Sequence, residues 1–247
     1  MTRVRLAAIT LAFVLGSPAL PALPAQPAQS ARPGLPGAGA QSPSKEELFA
    51  PHALSLLEAP DRDQWQKPEQ IMDFLRIAEG SVVADLGAGG GWFSAQLSRR
   101  VGPNGLVYAE DIQPAMLEVI ERRKAREGLR NVTTVLGTAN DPGLPSGIDA
   151  ALIVDVYREM EIPPADPVMV LRRVAESLKP DGRIGVVDFH PGDGGPGPAR
   201  DQRVNPEAVI EAAAAAGLVL IAREPEVNPF QFLLIFGKPA APPRASP

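Results

Sequence analysis

Cysteine is absent from this chain of 247 residues, and with it go disulfides, thiolate metal sites and thiol nucleophiles. Histidine is almost absent. His52 and His190 are the only two, too few for a zinc centre built from imidazoles, so no metal is expected. Basic residues are outnumbered, 24 Lys and Arg against 29 Asp and Glu, which leaves a net charge of −5. That balance offers no general attraction to nucleic acid or to an anionic membrane. Long apolar runs are lacking too. The stretch from Leu6 to Leu15 falls short of the roughly 20 residues that a stable membrane span needs. Proline and glycine, by contrast, are plentiful at 28 and 23, and the prolines are unevenly placed.

The first 44 residues read as two segments. Met1 to Ala19 places Arg3 and Arg5 ahead of the apolar run and small residues after it, the order of a secretory signal peptide. Ala19 and Ala40 both offer small-residue cleavage positions. Residues 20–44, beginning "LPALPAQPAQ", repeat proline every few positions and cannot bury a core, which predicts an extended linker. The chain is therefore expected to be exported to the periplasm or outside the cell, or held at a membrane by an uncleaved leader. A folded domain is expected over 45–238, and a disordered tail over 239–247.

Within 45–238, short β-branched runs alternate with amphipathic stretches, the pattern of a parallel sheet covered on both faces. Strands are predicted at Ser81–Leu86, Leu106–Glu110, Val132–Leu136, Ala150–Val154, Arg183–Asp188, Val219–Arg223 and Phe230–Phe236. Helices are predicted at Pro68–Ala78, Gly91–Val101, Pro114–Glu127, Pro167–Leu178 and Pro206–Ala216. Four of these begin on proline, which the first helical position tolerates. The last two strands have no helix between them, which suggests an antiparallel pair at one edge.

The segment "VADLGAGGGW", residues 83–92, lies where the first strand turns into its helix. In an open α/β sheet that is the ligand crevice. A dinucleotide fingerprint counted from Gly87 and Gly89 needs its third glycine at position 92, where Trp92 stands, and no P-loop Lys-Ser or Lys-Thr follows. The spacing that fits is an acid followed by alternate glycines: Asp85, Gly87, Gly89, Gly91. A carboxylate aimed at the turn suits a ligand with an ammonium group and opposes a pyrophosphate. S-adenosylmethionine has the amine and no phosphate. About 20 residues on, Glu110 and Asp111 are both candidates to grip a ribose diol. Asp111 is preferred, because Ile112 beside it offers an apolar surface for adenine.

These residues, with "VLGTANDPGLPSGIDAALIVDVYREM" and "LRRVAESLKPDGRIGVVDF" following in order, resemble the class I S-adenosylmethionine-dependent methyltransferases of small-molecule type. The resemblance spans about Trp65 to Phe236. It implies a Rossmann-like α/β fold with a mostly parallel seven-stranded sheet, an antiparallel edge strand and helices on both faces. It implies cofactor contacts from Asp85, Gly87, Ala88, Gly89, Gly91, Asp111, Ile112 and Asp155, with Thr138 and Ala139 at the adenine edge. Relatives often carry an acid where Thr138 stands, so Asn140 or Asp141 is the substitute partner for the adenine amine. Asp149 is expected to be structural, and Trp65 is expected either to lid the cofactor or to be a buried anchor.

The expected chemistry is in-line methyl transfer to a small-molecule acceptor, in which alignment counts for more than acid–base help. If the acceptor loses a proton, Asp155, Tyr157 and His190 are the candidate bases. Two other readings stay open: a protein that binds S-adenosylmethionine or a nucleoside without turnover, and a nicotinamide-dependent oxidoreductase. Nucleic-acid partners are not expected, and oligomeric state is not readable.

Overall fold

The computed structural model describes residues 60–240 apart from 193, 196, 225 and 226. The expected leader at 1–19 and linker at 20–44, residues 45–59 with His52, and 241–247 of the expected tail lie outside the described residues. Seven strands form one sheet: β1 (Val82–Leu86), β2 (Leu106–Asp111), β3 (Val132–Leu136), β4 (Ile148–Val154), β5 (Leu178–Phe189), β6 (Val219–Glu224) and β7 (Gln231–Gly237). Their order is β3-β2-β1-β4-β5-β7-β6. The first five run parallel, and β7 enters antiparallel between β5 and β6. The reversed strand thus stands one place in from the edge, and the antiparallel pair closes that side of the sheet.

Successive side chains of a strand face opposite sides, so the central strands feed two cores. Along β4, Ala150 and Leu152 join Ile71, Phe93, Leu97 and Ile120 on one face. Ile148, Ala151 and Ile153 join Leu171, Val174, Val209 and Phe232 on the other. Phe232 lies on β7, and the other partners come from helices of the set α1 (Arg62–Gln66), α2 (Pro68–Phe74), α3 (Trp92–Val101), α4 (Pro114–Glu127), α5 (Tyr157–Met160), α6 (Pro167–Ser177) and α7 (Pro206–Ala215). Gly185 on β5 lets α2 approach, since a Cβ there would lie 2.7 Å from Leu75 Cδ1. No helix among the described residues is long and apolar enough to cross a membrane.

Several boundaries differ from the sequence reading, most by a single residue. Helix α2 stops at Phe74 rather than Ala78, because Arg76 adopts φ 57° and the Ile77 N–H turns back to Met72 O. Gly91, at φ 74°, is the cap of α3 and not its first residue. Strand β4 begins two residues earlier, and β5 reaches back to Leu178, which pairs with Ile148 ahead of an irregularity. Helices α1 and α5 have four or five residues each, too few for a helical period to register in the sequence.

Candidate active site

The turn after β1 is shaped by glycine and held by acids. Gly87, Gly89 and Gly91 have φ of 62°, 55° and 74°, a region that a side chain disfavours. Gly87 has a second reason: a Cβ there would lie 2.5 Å from Val156 Cγ2. The Ala88 N–H donates to Glu110 O at 2.8 Å. The Gly87 N–H donates to Glu110 Oε2 at 3.3 Å, and the Gly89 N–H to Asp111 Oδ2 at 3.0 Å. Arg123 Nε fastens the outer side by donating to Gly90 O at 2.8 Å. Two amides that could cradle a phosphate, those of Gly87 and Gly89, are thus already bonded to carboxylates, and that of Ala88 to a backbone carbonyl.

Over the turn opens a cavity of about 630 Å³. Asp85 lies at its base, accepting from Ser94 Oγ of α3 at 2.5 Å, and burial pushes its carboxyl up to about 6. Burial pushes Glu110 up to about 8 and also raises Asp111, whose Oδ1 accepts from the Gln113 N–H at 2.9 Å. Both acids stand at the end of β2, beside the turn after β3. Gly137 of that turn has no room for a side chain, because a Cβ would collide with Glu110 Oε1.

Among the described residues, Arg62 is the only positively charged side chain that lines the cavity. Its guanidinium carbon sits 4.2 Å from the Trp92 ring centroid, and its Nη2 pairs with Asp155 Oδ2 at 3.1 Å. Asp155, with φ 58°, also accepts from Gln66 Nε2 at 3.0 Å and, on Oδ1, from Gln231 Nε2. Gln231 in turn accepts from Asn228 Nδ2 at 2.8 Å. Burial raises the Asp155 carboxyl, with the Arg62 charge opposing. The network pins α1 to the ends of β4 and β7.

The cavity brings together Asp85, Gly87, Ala88, Gly89, Asp111, Ile112, Thr138, Ala139 and Asp155. Gly91 does not line it; its place is under the first turn of α3, packed against Ile120. Two of the three catalytic candidates are not brought there either. Tyr157 begins α5 with its ring turned into the core, 1% exposed, and burial drives its hydroxyl far above the usual range. His190 extends the β5–β7 ladder through its N–H to Phe230 O at 3.0 Å, and its ring rests on Phe232 at 5.5 Å. The third, Asp155, reaches the cavity with both oxygens already engaged.

Other expectations sort similarly. Asn140 and Asp141 do not line the cavity; the Asn140 amide bridges to Pro164 O at 3.0 Å and to the Asp166 N–H at 2.7 Å. Trp65 packs on Phe189 and Phe230, at 5.9 and 6.5 Å, as an anchor rather than a lid. Asp149 is structural, accepting from the Val82 N–H and from Lys179 Nζ. Sequence reasoning missed Arg62, Trp92 and Glu159 as lining residues, and preferred Asp111 where Glu110 also lines the cavity. Only Glu110 had a signal, its place beside Asp111 at the strand end.

A sheet in this order, with its ligand turn after β1 ringed by acids, has the class I methyltransferase architecture, and comparison with known proteins agrees. Residues 83–182 match the family described as a methyltransferase domain. Aklanonic acid methyltransferase DauC of Streptomyces sp. (strain C5) is 31% identical over 115 residues, 47% of this chain and 51% of that protein. The ubiquinone/menaquinone biosynthesis C-methyltransferase UbiE of Pasteurella multocida (strain Pm70) is 35% identical over 125 residues, covering 48% and 43%. The chain thus spans about half the length of the curated relatives it matches. A crystal structure of a SAM-dependent methyltransferase from Aquifex aeolicus superposes with a TM-score of 0.70 at 25% identity, over 76% of this chain and 98% of that one. Residues 83–182 thus match a methyltransferase domain, and the sheet and its helices have the Rossmann-like fold of the class I methyltransferases.

Proposed function

We propose that the protein transfers a methyl group from S-adenosylmethionine to a small organic acceptor. The observation that carries this is the cluster of Asp85, Glu110 and Asp111 around a turn in which the Gly87 and Gly89 amides are spent on carboxylates. Such a rim welcomes an ammonium and hydroxyls and repels a pyrophosphate, which argues against a nicotinamide dinucleotide. The residues present fit the ligand's groups. Asp85 faces the amine, Arg62 is the cation within reach of the carboxylate, Asp111 and Glu110 meet the ribose diol, and Ile112, Thr138 and Ala139 border the adenine. Bound there, the sulfonium supplies an already activated methyl group. The chain's task is to align the acceptor and keep water out.

The apolar half of the cavity, with Val156, Met160 and Ile162, suits a small organic acceptor. A second reading, binding without turnover, is favoured by one finding: Tyr157 and His190 do not line the cavity, and both oxygens of Asp155 are engaged. Incubating the purified protein with S-adenosylmethionine and a cell extract separates the two. Protein-dependent formation of S-adenosylhomocysteine supports transfer, and its absence alongside tight binding supports the second reading. Export rests on Arg3, Arg5 and the apolar run behind them, and sequencing the mature N-terminus tests it.

A further inference from the structure

Three uncharged polar side chains, Gln66 of α1, Asn228 ahead of β7 and Gln231 at its first position, are fully buried without lining the cavity. Burying an amide is costly unless its groups are bonded, and here the bonds form one chain. Asn228 Oδ1 accepts from the Phe230 and Gln231 N–H groups at 2.9 and 3.0 Å, which fixes the start of β7. Asn228 Nδ2 donates to Gln231 Oε1 at 2.8 Å, and Gln66 Nε2 donates to the same oxygen at 3.2 Å. Gln231 Nε2 in turn donates to Asp155 Oδ1. The chain therefore ends on a carboxylate that does line the cavity.

What the chain decides is how Asp155 holds Arg62. With Oδ1 occupied by Gln231, the carboxylate meets the guanidinium on Oδ2, through Nη2 at 3.1 Å. Arginine and carboxylate otherwise favour two parallel bonds. The guanidinium lies instead over the Trp92 ring, 4.2 Å from its centroid, and lines the cavity. It is also in electrostatic reach of Asp85 at the cavity base. A cation on the wall beside a buried carboxylate matches a zwitterion, its ammonium toward Asp85 and its carboxylate toward Arg62. That is the amino-acid end of an S-adenosyl ligand. Were Oδ1 bare, the fork of Arg62 would close on both oxygens of Asp155, and the charge offered to the cavity would be neutralised there.

We propose that Gln231, held by Asn228, is a positioning residue for the cofactor's amino-acid end: by occupying Asp155 Oδ1 it keeps Arg62 out of a two-pronged pair and its charge on the cavity wall. The start of β7 stands apart from the glycine turn, with β4 and β5 between β7 and β1. It nonetheless takes part in telling an S-adenosyl amino acid from a plain nucleoside thioether. This inference rests on the methyl-transfer reading above.

The test is calorimetric titration with S-adenosylhomocysteine and with 5′-methylthioadenosine, which carries a methyl group in place of the amino-acid end. The wild type is expected to bind S-adenosylhomocysteine about tenfold or more tightly than 5′-methylthioadenosine. Gln231→Met should weaken S-adenosylhomocysteine about fivefold while moving 5′-methylthioadenosine by less than about twofold. Gln231→Asn, an amide one carbon shorter that falls short of Asp155, should act in the same direction and serves where the Met variant does not fold. Adding Asp155→Asn to either variant removes the charge that draws Arg62 aside and should recover the preference, a rescue that a merely structural role would not give. A preference untouched in both Gln231 variants, equal weakening of the two ligands, or a loss that Asp155→Asn does not recover would overturn the assignment of Gln231. Equal binding of the two ligands by the wild type overturns it as well, by removing the role of Arg62. Failure of the wild type to bind S-adenosylhomocysteine overturns the methyl-transfer reading itself, a different outcome from the same titration.

Discussion

Asp85 is a buried carboxylate whose neighbours leave it one task. Its carboxyl sits near 6 against an ordinary 3.8, and that of Glu110 near 8, both raised by burial. In the ligand-free protein each group still holds a proton that the unfolded chain has released. The folded state therefore loses stability from these groups as pH rises, from about 4 to 6 for Asp85 and on to about 8 for Glu110. An ammonium-bearing ligand favours the ionised Asp85, so the thermal upshift caused by S-adenosylhomocysteine should grow over the same window. Scans at pH 5 and pH 8 check both trends, and an upshift that shrinks with pH contradicts the role of Asp85. Gly137 gives a second case. Gly137→Ala drives a Cβ into Glu110 Oε1, the far end of a flexible side chain. Glu110→Ala in the same protein should recover about 1 kcal/mol of the loss, measured by urea denaturation of the singles and the double.

At the scale of elements, α1 is the least self-sufficient piece. It has five residues, its N-cap makes no side-chain bond, and it is held by Arg62 and Gln66 reaching Asp155 and Gln231. Arg62→Met strands Asp155 without its charge partner, which should cost about 3 kcal/mol in urea denaturation. Arg62→Met with Asp155→Asn should cost less than the single changes summed. Asn140 ties the turn after β3 to the loop before α6 through its two amide bonds. Asn140→Ala should speed hydrogen exchange over residues 161–166 while shifting global stability by about 1 kcal/mol or less. The longer elements were legible in the sequence because their causes are local. Pro68, Pro114, Pro167 and Pro206 each begin a helix, and Gly128 ends one in the left-handed region. The end of α2 was not legible, since Arg76 takes a positive φ without a glycine to announce it.

At the scale of the molecule, the alternation of strands and helices implied the sheet, and the missing helix between the last two strands implied the antiparallel closure by β7 and β6. The glycine turn and its acids were readable because one short segment after one strand carries them. Tyr157 and His190 were misread because the direction of a side chain just past a strand end is set by distant packing, here the second core and Phe232. Arg62 and Glu159 gave no signal, since each reaches the cavity only through the tertiary fold. The methyl-transfer reading makes one central demand, that the cavity seats an adenosyl sulfonium compound on Asp85. Calorimetric titration of the wild type and Asp85→Asn with S-adenosylhomocysteine and with NAD tests this most directly. The account expects S-adenosylhomocysteine to bind the wild type, to bind Asp85→Asn about tenfold or more weakly, and NAD to bind neither. Binding of NAD in place of S-adenosylhomocysteine, or equal affinity of both proteins for S-adenosylhomocysteine, would contradict it.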